Sequence, residues 1–162
     1  MRYYTGRMNT VTTLHVASDN SERTEHIAET IGQRLRGGEV IELVSDLGGG
    51  KTTFTRGLAR GAGSKDVVGS PTFTISKVYE ARTFEIHHFD FYRLSEAGIV
   101  ADEIAEYLND PSVVTVVEWG DIVHHVLPVE RLTITITQTP AGIRELTFAA
   151  PETYQYLLED VR

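Results

Sequence analysis

The sequence predicts an α/β domain in which a central sheet of mixed strand direction lies between layers of helices. In the first half of the chain, short β-type runs alternate with amphipathic segments of helical spacing, which is typical of parallel strands joined by helices. In the last third, two alternating β-type runs face each other across a short turn, which is typical of an antiparallel hairpin. The two patterns together favour a mixed sheet.

The length and composition set the number of domains. A chain of 162 residues suffices for one compact domain with its own core but not for two large ones. With 41% hydrophobic and 23% charged residues, wholesale disorder is excluded. We predict a single domain over residues 11–162 and a loose extension over residues 1–10. The extension lacks the apolar middle of a signal peptide, and every apolar run falls short of the roughly 20 residues of a membrane helix. We therefore expect a cytoplasmic protein that does not enter membranes.

The charge and the cysteine content exclude several functional classes. Fifteen Lys and Arg against 23 Asp and Glu give a net charge of −8. This charge disfavours broad adhesion to phosphate backbones or anionic membranes. We therefore expect no DNA binding, and any contact with RNA is expected to be a local patch or to come through a partner. The sequence contains no cysteine, which excludes disulfides, thiolate zinc sites and cysteine nucleophiles.

The first third of the chain predicts a strand, a helix and a second strand. Residues 12–16 form a short β-type run, and the polar cluster after it carries side-chain oxygens that can cap a helix. Apolar residues then recur at four-residue steps until the pair Gly37-Gly38, which supplies a left-handed stop. We therefore predict a helix over residues 21–36. The mostly apolar run Val40–Val44 has the length of a buried strand and leads directly into a glycine-rich segment.

The remaining elements follow from the same signals. Phe54, Leu58 and Ala62 have helical spacing after the glycine-rich segment, and glycine and proline punctuate an irregular loop over residues 67–72. The later predicted elements are strands over 73–79 and 84–89, a helix over 101–108, a buried central strand over Val113–Glu118, a hairpin of 132–137 with 143–148, and a short helix over 151–161.

The glycine-rich segment predicts a phosphate cradle. Gly48, Gly49 and Gly50 lie between a predicted buried strand and a predicted helix. Backbone N–H groups free of side chains can converge there on an anion, and the helix N-terminus adds partial positive charge. Lys51 would neutralise the β and γ phosphates of a nucleotide, and the Thr52 hydroxyl would reach a Mg²⁺ ion that bridges them. The alternative is a glycine-rich turn with a solvated lysine.

Four motifs extend this pattern along the chain. In order they are Asp46-Leu47-Gly48-x-Gly50-Lys51-Thr52-Thr53-Phe54-x-Arg56-Gly57, Ser70-Pro71-Thr72-Phe73-Thr74, His88-Phe89-Asp90-x-Tyr92-Arg93-Leu94 and Val117-Glu118-Trp119. Together they resemble the TsaE (YjeE) family, bacterial P-loop ATPases needed to make threonylcarbamoyladenosine in tRNA. The resemblance covers residues 20–150. It implies a P-loop NTPase-like three-layer sandwich with a mixed central sheet and a C-terminal antiparallel hairpin.

The resemblance also implies an activity and its partners. It implies hydrolysis of ATP to ADP and phosphate with Mg²⁺ as cofactor, slow in the isolated protein and stimulated by partners. Hydrolysis would drive the cycle of the transferase subunit TsaD and its paralogue TsaB, and tRNA would be met only through that complex. Two other functions stay open at this point. One is a small-molecule kinase that uses the same cradle, and the other is a non-enzymatic binding module gated by nucleotide.

Two carboxylates are the candidate catalytic acids. Asp90 and Glu118 each end a predicted strand, so both lie at the edge of the sheet where α/β proteins bind ligands, and they fit a magnesium site. The resemblance implies that Glu118 helps hold Mg²⁺ and that Asp90 orients the metal's water or the attacking water, both by positioning and electrostatics. Lys51 is the third predicted catalytic residue. The alternative is that either acid caps a helix or forms a surface pair.

Further contacts to the nucleotide follow from the resemblance. Thr72 resembles a mobile switch threonine that senses the γ-phosphate, with a simple turn residue as the alternative. Trp119, the single tryptophan, would pack on the nucleotide or on the moving loop, with ordinary core packing as the alternative. The family pattern assigns adenine and ribose contacts to Thr24 and Arg144, and Thr53 belongs to the phosphate-binding segment.

Three departures from the family pattern mark this chain. Ser45 stands where the usual phosphate-binding motif has its first glycine, six residues before the lysine. The small serine is compatible with the turn, and its effect on the backbone is left open. Gly120 stands where many members have proline after the tryptophan, and residues 95–103 match poorly.

The histidines and one basic patch have simpler interpretations. The adjacent histidines 87–88 and 124–125 do not suit a shared metal ion, because neighbouring side chains diverge in a strand or a helix. Arg56 and Arg60 share one helix face near Lys65, where they form either a solvated face or a contact for RNA or a partner.

Overall fold

The structure, a computed structural model, describes residues 10–162. The strands are β1 (Val11–Ser18), β2 (Val40–Val44), β3 (Ser76–Glu80), β4 (Glu85–Asp90), β5 (Val113–Glu118), β6 (Leu132–Gln138) and β7 (Arg144–Pro151). The helices are α1 (Ser21–Gly32), α2 (Lys51–Gly61) and α3 (Ile99–Tyr107), with 3-10 turns over Gly120–Val123 and Glu152–Leu158. Among the described residues, no helix has the length and apolar character needed to span a membrane.

The strands form one mixed sheet in the order β1-β7-β6-β2-β5-β4-β3. The central strands β4, β5, β2 and β6 run parallel to one another. β3 is antiparallel to β4, and β7 is antiparallel to both β6 and β1. The predicted mixed sheet is therefore confirmed, including the hairpin of β6 with β7. The parallel centre brings the carboxyl ends of β2, β4 and β5 to one edge of the sheet.

Helices cover both faces of this sheet, as parallel strands require. On one face, Phe54 and Leu58 of α2 pack with Val116 of β5 in a core that also includes α1. On the other face, Ile104 of α3 packs with Val117, the next residue of β5. Successive residues of a strand point to opposite faces. The six residues of β5 are all buried because the strand lies between the two cores.

Glycines let α1 and α2 approach each other at backbone distance. A Cβ atom added at Gly57 would lie 2.2 Å from the carbonyl oxygen of Glu25, and one at Gly61 would lie 2.1 Å from that of Glu29. Both distances are far below van der Waals contact, so any larger residue at these positions would push the helices apart. This contact fixes the position of α2, whose first residues carry the predicted phosphate-binding side chains.

The predicted basic patch on α2 is paired with acids of α1. Arg60 binds Glu25 at 2.8 Å and Glu29 at 2.9 Å, and Arg56 binds Glu25 at 3.0 Å. Burial alone would raise the pKa of Glu25, but the hydrogen bonds from Arg56 and Arg60 lower it below its usual value. These pairs favour the solvated-face interpretation of the two arginines over an RNA contact.

Several predicted limits differ from the structure by a few residues at one or both ends of an element, and three differences concern a helix end, a strand start and a helix type. The first helix ends at Gly32 rather than at residue 36, and Gly37 and Gly38 do have left-handed backbones. β3 begins at Ser76 rather than at residue 73, because a turn comes first in which the Ile75 N–H donates to the Pro71 carbonyl. The last predicted helix is a 3-10 segment. The predicted extension over residues 1–10 lies, apart from Thr10, outside the described residues.

Candidate nucleotide site

A cleft of about 250 Å³ opens at the carboxyl edge of the sheet, between the start of α2 and the ends of β4 and β5. Most of the residues that the sequence singles out lie around it. The lining residues are Leu47, Gly48, Gly49, Gly50, Lys51, Thr52, Thr53, Ser70, Thr72, Asp90, Glu118 and Trp119. Segments far apart in the chain therefore meet at one place.

The glycine loop leaves the N-terminus of α2 open towards the cleft. Gly48 and Gly50 have positive φ values of 76° and 109°, which other residues adopt only with strain. A Cβ atom at Gly49 would lie 2.6 Å from the Ser45 hydroxyl oxygen. No side chain caps the first turn of α2. Backbone N–H groups at such a helix start form a ready site for an anion.

Lys51 lies at the base of this loop with only 6% of its surface exposed. Its ammonium group donates to the Ser45 carbonyl at 3.1 Å, the Ser45 hydroxyl at 2.9 Å and the Asp46 carbonyl at 3.1 Å. Burial lowers the pKa of Lys51, against an upward pull from Glu118, Asp90 and Asp46. The serine that replaces the usual glycine thus fits the turn and accepts a hydrogen bond from the lysine.

Asp90 and Glu118 lie side by side at the ends of β4 and β5, where their Cα atoms are paired in the parallel register. Each is only 3% exposed, which excludes a surface ion pair. Asp90 accepts a hydrogen bond from the Tyr92 N–H at 2.9 Å and another from the Thr72 hydroxyl at 2.6 Å. Thr72 is therefore tied to a carboxylate of the cleft.

His88, the first residue of the third motif, contacts Glu118. The ring of His88 is fully buried, and its Nε2 atom lies 2.8 Å from Glu118 Oε1. Its Nδ1 atom lies 3.4 Å from the hydroxyl of Tyr79, which donates to the Gly69 carbonyl at 2.9 Å. The motif His88-Phe89-Asp90 was the available signal, because residues two apart in a strand share a face.

The residues of the cleft fit a magnesium ion that arrives with a nucleotide. Within residues 10–162, no group of three or more His, Asp or Glu side chains forms a metal site by itself. Mg²⁺ is usually held by one or two carboxylates, waters and the phosphates of the substrate. Two buried carboxylates face a single buried ammonium group here, and the Thr52 hydroxyl borders the same cleft. This donor set matches a Mg²⁺-phosphate site rather than a metal site built by protein alone.

Trp119 borders the cleft in a left-handed backbone conformation, with φ of 56°. The Lys51 ammonium lies 4.7 Å from the centre of the indole ring, and the ring of Tyr92 lies 5.0 Å away on another side. Trp119 is half-buried. It packs against the apolar core and also faces the phosphate loop, so core packing alone does not describe it.

Arg144 and Thr24 lie outside the cleft lining. The Nε atom of Arg144 lies 3.0 Å from where a Cβ of Gly50 would be, and among the described residues it is buried without a hydrogen-bond partner. Thr24 is fully buried, and its hydroxyl is hydrogen-bonded to the Ser18 hydroxyl at 2.8 Å. Ser18 pairs with Arg144 across β1 and β7. The structure thus brings Arg144 against the glycine loop but does not bring the Thr24 hydroxyl into the cleft.

Comparisons with known proteins agree with these features. A profile of the family described as threonylcarbamoyl adenosine biosynthesis protein TsaE matches residues 18–146. The chain belongs to the TsaE family. The tRNA threonylcarbamoyladenosine biosynthesis protein TsaE of Bacillus subtilis strain 168 is 38% identical over 143 residues, which cover 88% of this chain and 89% of that protein. The TsaE of Treponema pallidum strain Nichols is 35% identical over 136 residues, which cover 84% of this chain and 100% of that protein.

A solved structure supports the fold of this TsaE family member. The crystal structure of YdiB from Bacillus subtilis has a TM-score of 0.77 to this chain at 36% sequence identity. The similarity covers 94% of this chain and 95% of the YdiB chain. The family and the α/β fold predicted from the motifs are therefore confirmed. The residues that line the cleft, 47 to 119, lie within the residues 18–146 that the family profile matches.

Proposed function

We propose that this chain is the ATP-binding and ATP-hydrolysing component of the system that makes threonylcarbamoyladenosine in tRNA. The similar proteins from B. subtilis and T. pallidum are named for this biosynthesis. The observation that carries the ATPase assignment is the convergence of the uncapped glycine loop and buried Lys51 with two buried carboxylates in one cleft. Phosphoryl transfer depends on such positioning and electrostatic stabilisation.

Phosphate binding is the first step. The backbone N–H groups of Gly48, Gly49 and Gly50 bind phosphate oxygens, and the dipole of α2 adds favourable charge. Lys51 then exchanges its hydrogen bonds to Ser45 and the Asp46 carbonyl for the β and γ phosphates. Arg144 lies against Gly50, and its Nε atom has no hydrogen-bond partner among residues 10–162, so we assign it a contact with the nucleotide beside the loop.

Hydrolysis requires the two acids. Mg²⁺, when bound with ATP, supplies positive charge that stabilises the phosphates as charge shifts to the leaving group. Thr52 and Glu118 would hold it. Asp90, beside Glu118 at the end of the neighbouring strand, would orient the metal's water or the attacking water. The low exposure of both acids strengthens these electrostatic contributions.

The hydrogen bond from Thr72 to Asp90 suggests why activity would depend on partners. With Asp90 Oδ2 occupied by Thr72 and Oδ1 by the Tyr92 N–H, both carboxylate oxygens have partners. A movement of Thr72 towards the γ-phosphate would free Asp90 to orient water. We assign this movement to binding of the transferase subunits TsaD and TsaB. Hydrolysis is then slow in the isolated chain, where Thr72 occupies Asp90, and faster in the complex. Contact with tRNA then occurs through that complex.

A small-molecule kinase is less well supported by the same geometry. A kinase requires an acceptor site beside the γ-phosphate and usually a mobile lid that carries arginine. After β5 the chain continues as a 3-10 turn and an antiparallel hairpin that belongs to the sheet. Those elements are part of the core rather than a lid.

One set of measurements tests the proposal. The purified chain is titrated with Mg-ATP, Mg-ADP and a non-hydrolysable analogue, and phosphate release is followed with and without TsaD, TsaB and tRNA. We expect binding of all three nucleotides, slow phosphate release alone and faster release in the complex. Release that is absent in the complex, with ATP binding intact, would favour a nucleotide-gated binding module. Transfer of phosphate to a small acceptor would favour a kinase.

A further inference from the structure

We propose that His88 and Tyr79 are positioning residues that hold Glu118 in place and couple it to the loop of residues 67–72. This inference rests on the proposed function, because it assigns a role in magnesium binding and hydrolysis at the same site. Neither side chain lines the cleft. Both would act through the carboxylate of Glu118.

The contact between His88 and Glu118 is buried on both sides. His88 has no exposed surface and Glu118 has 3%. A carboxylate that holds Mg²⁺ offers only acceptors, so in that state the Nε2 atom of His88 would carry the hydrogen of the 2.8 Å contact. A buried carboxylate without a partner is strongly disfavoured. His88 therefore fixes one oxygen of Glu118 in the direction that its ring allows.

Tyr79 connects this pair to the loop. The hydroxyl of Tyr79 donates to the Gly69 carbonyl at 2.9 Å and lies 3.4 Å from Nδ1 of His88. Burial raises the pKa of Tyr79, so its hydroxyl keeps its proton and remains a donor. The rings of Tyr79 and His88 lie 6.1 Å apart and support each other by packing. A path of contacts thus runs from Gly69 to Glu118.

The arrangement follows from the order of strands. Tyr79 lies on β3, His88 on the adjacent β4, and Glu118 on the adjacent β5. Tyr79 is paired with Ile86, and residues two apart in β4 share a face, so Tyr79 and His88 point to the same side of the sheet. The parallel pairing of Asp90 with Glu118 brings Glu118 to that side as well.

The loop is attached to the two acids at two points. Gly69 connects through Tyr79 and His88 to Glu118, and Thr72 connects directly to Asp90. A displacement of the loop therefore changes the support of both carboxylates together. Small errors in the position of catalytic groups lower the reaction rate strongly. Loss of a partner that orients a metal ligand typically lowers metal affinity or activity about 10-fold to 100-fold.

The test compares three variants with one control. His88→Gln keeps an N–H group near the position of Nε2, whereas His88→Asn is too short to reach Glu118. Tyr79→Phe removes the hydroxyl and keeps the ring. His87→Gln is the matched control, because His87 is buried on the opposite face of β4, where it contacts Glu85 and Tyr107.

Two readouts are measured on the full chain. The first is kcat and KM for Mg-ATP in the presence of the partners. The second, which does not depend on turnover, is the affinity of the complex with ADP for Mn²⁺, followed by electron paramagnetic resonance. For His88→Asn we expect about a tenfold loss of kcat and of Mn²⁺ affinity, with little change in KM. We expect His88→Gln to retain most of the wild-type kcat and Mn²⁺ affinity. We expect the kcat and Mn²⁺ affinity of Tyr79→Phe to lie between those of His88→Asn and the wild type.

The outcomes separate the two claims. If the wild type binds no nucleotide with Mg²⁺ or Mn²⁺, the proposed function fails, and this inference fails with it. If the wild type is active and His88→Asn matches His87→Gln in both readouts, the positioning role alone is overturned. If His88→Asn does not fold, as judged by thermal unfolding, the kcat and Mn²⁺ affinity of His88→Gln and Tyr79→Phe are used to test the positioning role instead. Wild-type values for Tyr79→Phe would then overturn the coupling.

Discussion

The ammonium nitrogen of Lys51 lies 2.9 Å from the hydroxyl oxygen of Ser45, the residue that replaces the usual first glycine of the phosphate loop. The same hydroxyl donates to the Asp46 carbonyl at 2.9 Å. The serine therefore holds the lysine against the base of the loop and is itself held in place. Under the proposed function, Lys51 would give up this bond when phosphates take its place, so Ser45 would compete with the nucleotide for the lysine.

Removing the Ser45 hydroxyl is expected to strengthen ATP binding slightly. A hydrogen bond to a charged group is worth about 1.5–3 kcal/mol, and most of that is regained by water or neighbouring carbonyls, so a gain of a few-fold in affinity is expected for Ser45→Ala. Ser45→Gly removes the hydroxyl and also adds backbone freedom. Calorimetric titration with Mg-ATP would measure both. Weaker binding by Ser45→Ala would show that the hydroxyl supports the bound loop instead.

Loss of the lysine is expected to abolish tight ATP binding. In Lys51→Ala the glycine backbone remains, but the cationic partner of the β and γ phosphates is removed, and we expect the affinity to fall roughly 10-fold to 100-fold. Calorimetry with Mg-ATP measures the affinity, and thermal unfolding checks that the variant is folded. Unchanged affinity in a folded Lys51→Ala would contradict the assignment of the phosphate loop.

The two acids are expected to affect hydrolysis more than binding. Asp90→Asn and Glu118→Gln keep the shape of these buried side chains while they remove the charge that stabilises the transition state. We expect phosphate release in the complex to fall about 100-fold or more, with a much smaller change in the affinity for ATP. Single-turnover phosphate release and equilibrium binding are measured on the same preparations. Wild-type turnover in either variant would exclude a catalytic role for that acid.

Two strands of the parallel centre were predictable to the residue. Val40–Val44 and Val113–Glu118 match their predicted limits, because each is a compact apolar or β-branched run bounded by residues that end strands. The end of α1 was not predictable from the same signal. Leu35 continues the apolar spacing because it is buried in the core, but its N–H donates to the Gly32 carbonyl, so the backbone has already left the α-helical pattern.

The position of the glycine loop between β2 and α2 was predictable, while the side-chain contacts behind the cleft were not. Glycines, lysine and threonine in sequence carry their chemistry locally, and their positions follow from one strand and one helix. The contact of His88 with Glu118 depends on the register of β4 against β5, which brings together residues 30 positions apart. Local spacing contains no information on that register. The contact of Arg144 with the loop likewise depends on the placement of β7.

The fluorescence of Trp119 is expected to report nucleotide binding. Trp119 is the only tryptophan of the chain, and its ring lies 4.7 Å from the ammonium of Lys51. When phosphates draw Lys51 away from the ring, the electrostatic environment of the indole changes, so the emission should change on addition of Mg-ADP. Lys51→Ala serves as the control, because it should lack the response. An unaltered spectrum with binding shown by calorimetry would place the ring away from the nucleotide.

The ion pairs between α1 and α2 predict a dependence of stability on pH. The pKa of Glu25 is lowered in the folded chain, so its charged form stabilises the fold above the usual pKa of about 4.3, and this contribution is lost as pH falls through the lower folded value. Because the arginines are nearly half exposed, we expect Glu25→Gln to lower the free energy of unfolding at pH 7 by about 1 kcal/mol or less. Denaturant unfolding at pH 7 and near pH 3 measures the difference in unfolding free energy between wild type and variant, which should shrink at the lower pH.

The exposed Glu106→Gln on α3 is the control. If the free energy of unfolding depends on pH equally in the two variants, the pairing of Glu25 with Arg56 and Arg60 does not stabilise the contact between α1 and α2 beyond the packing at their glycines.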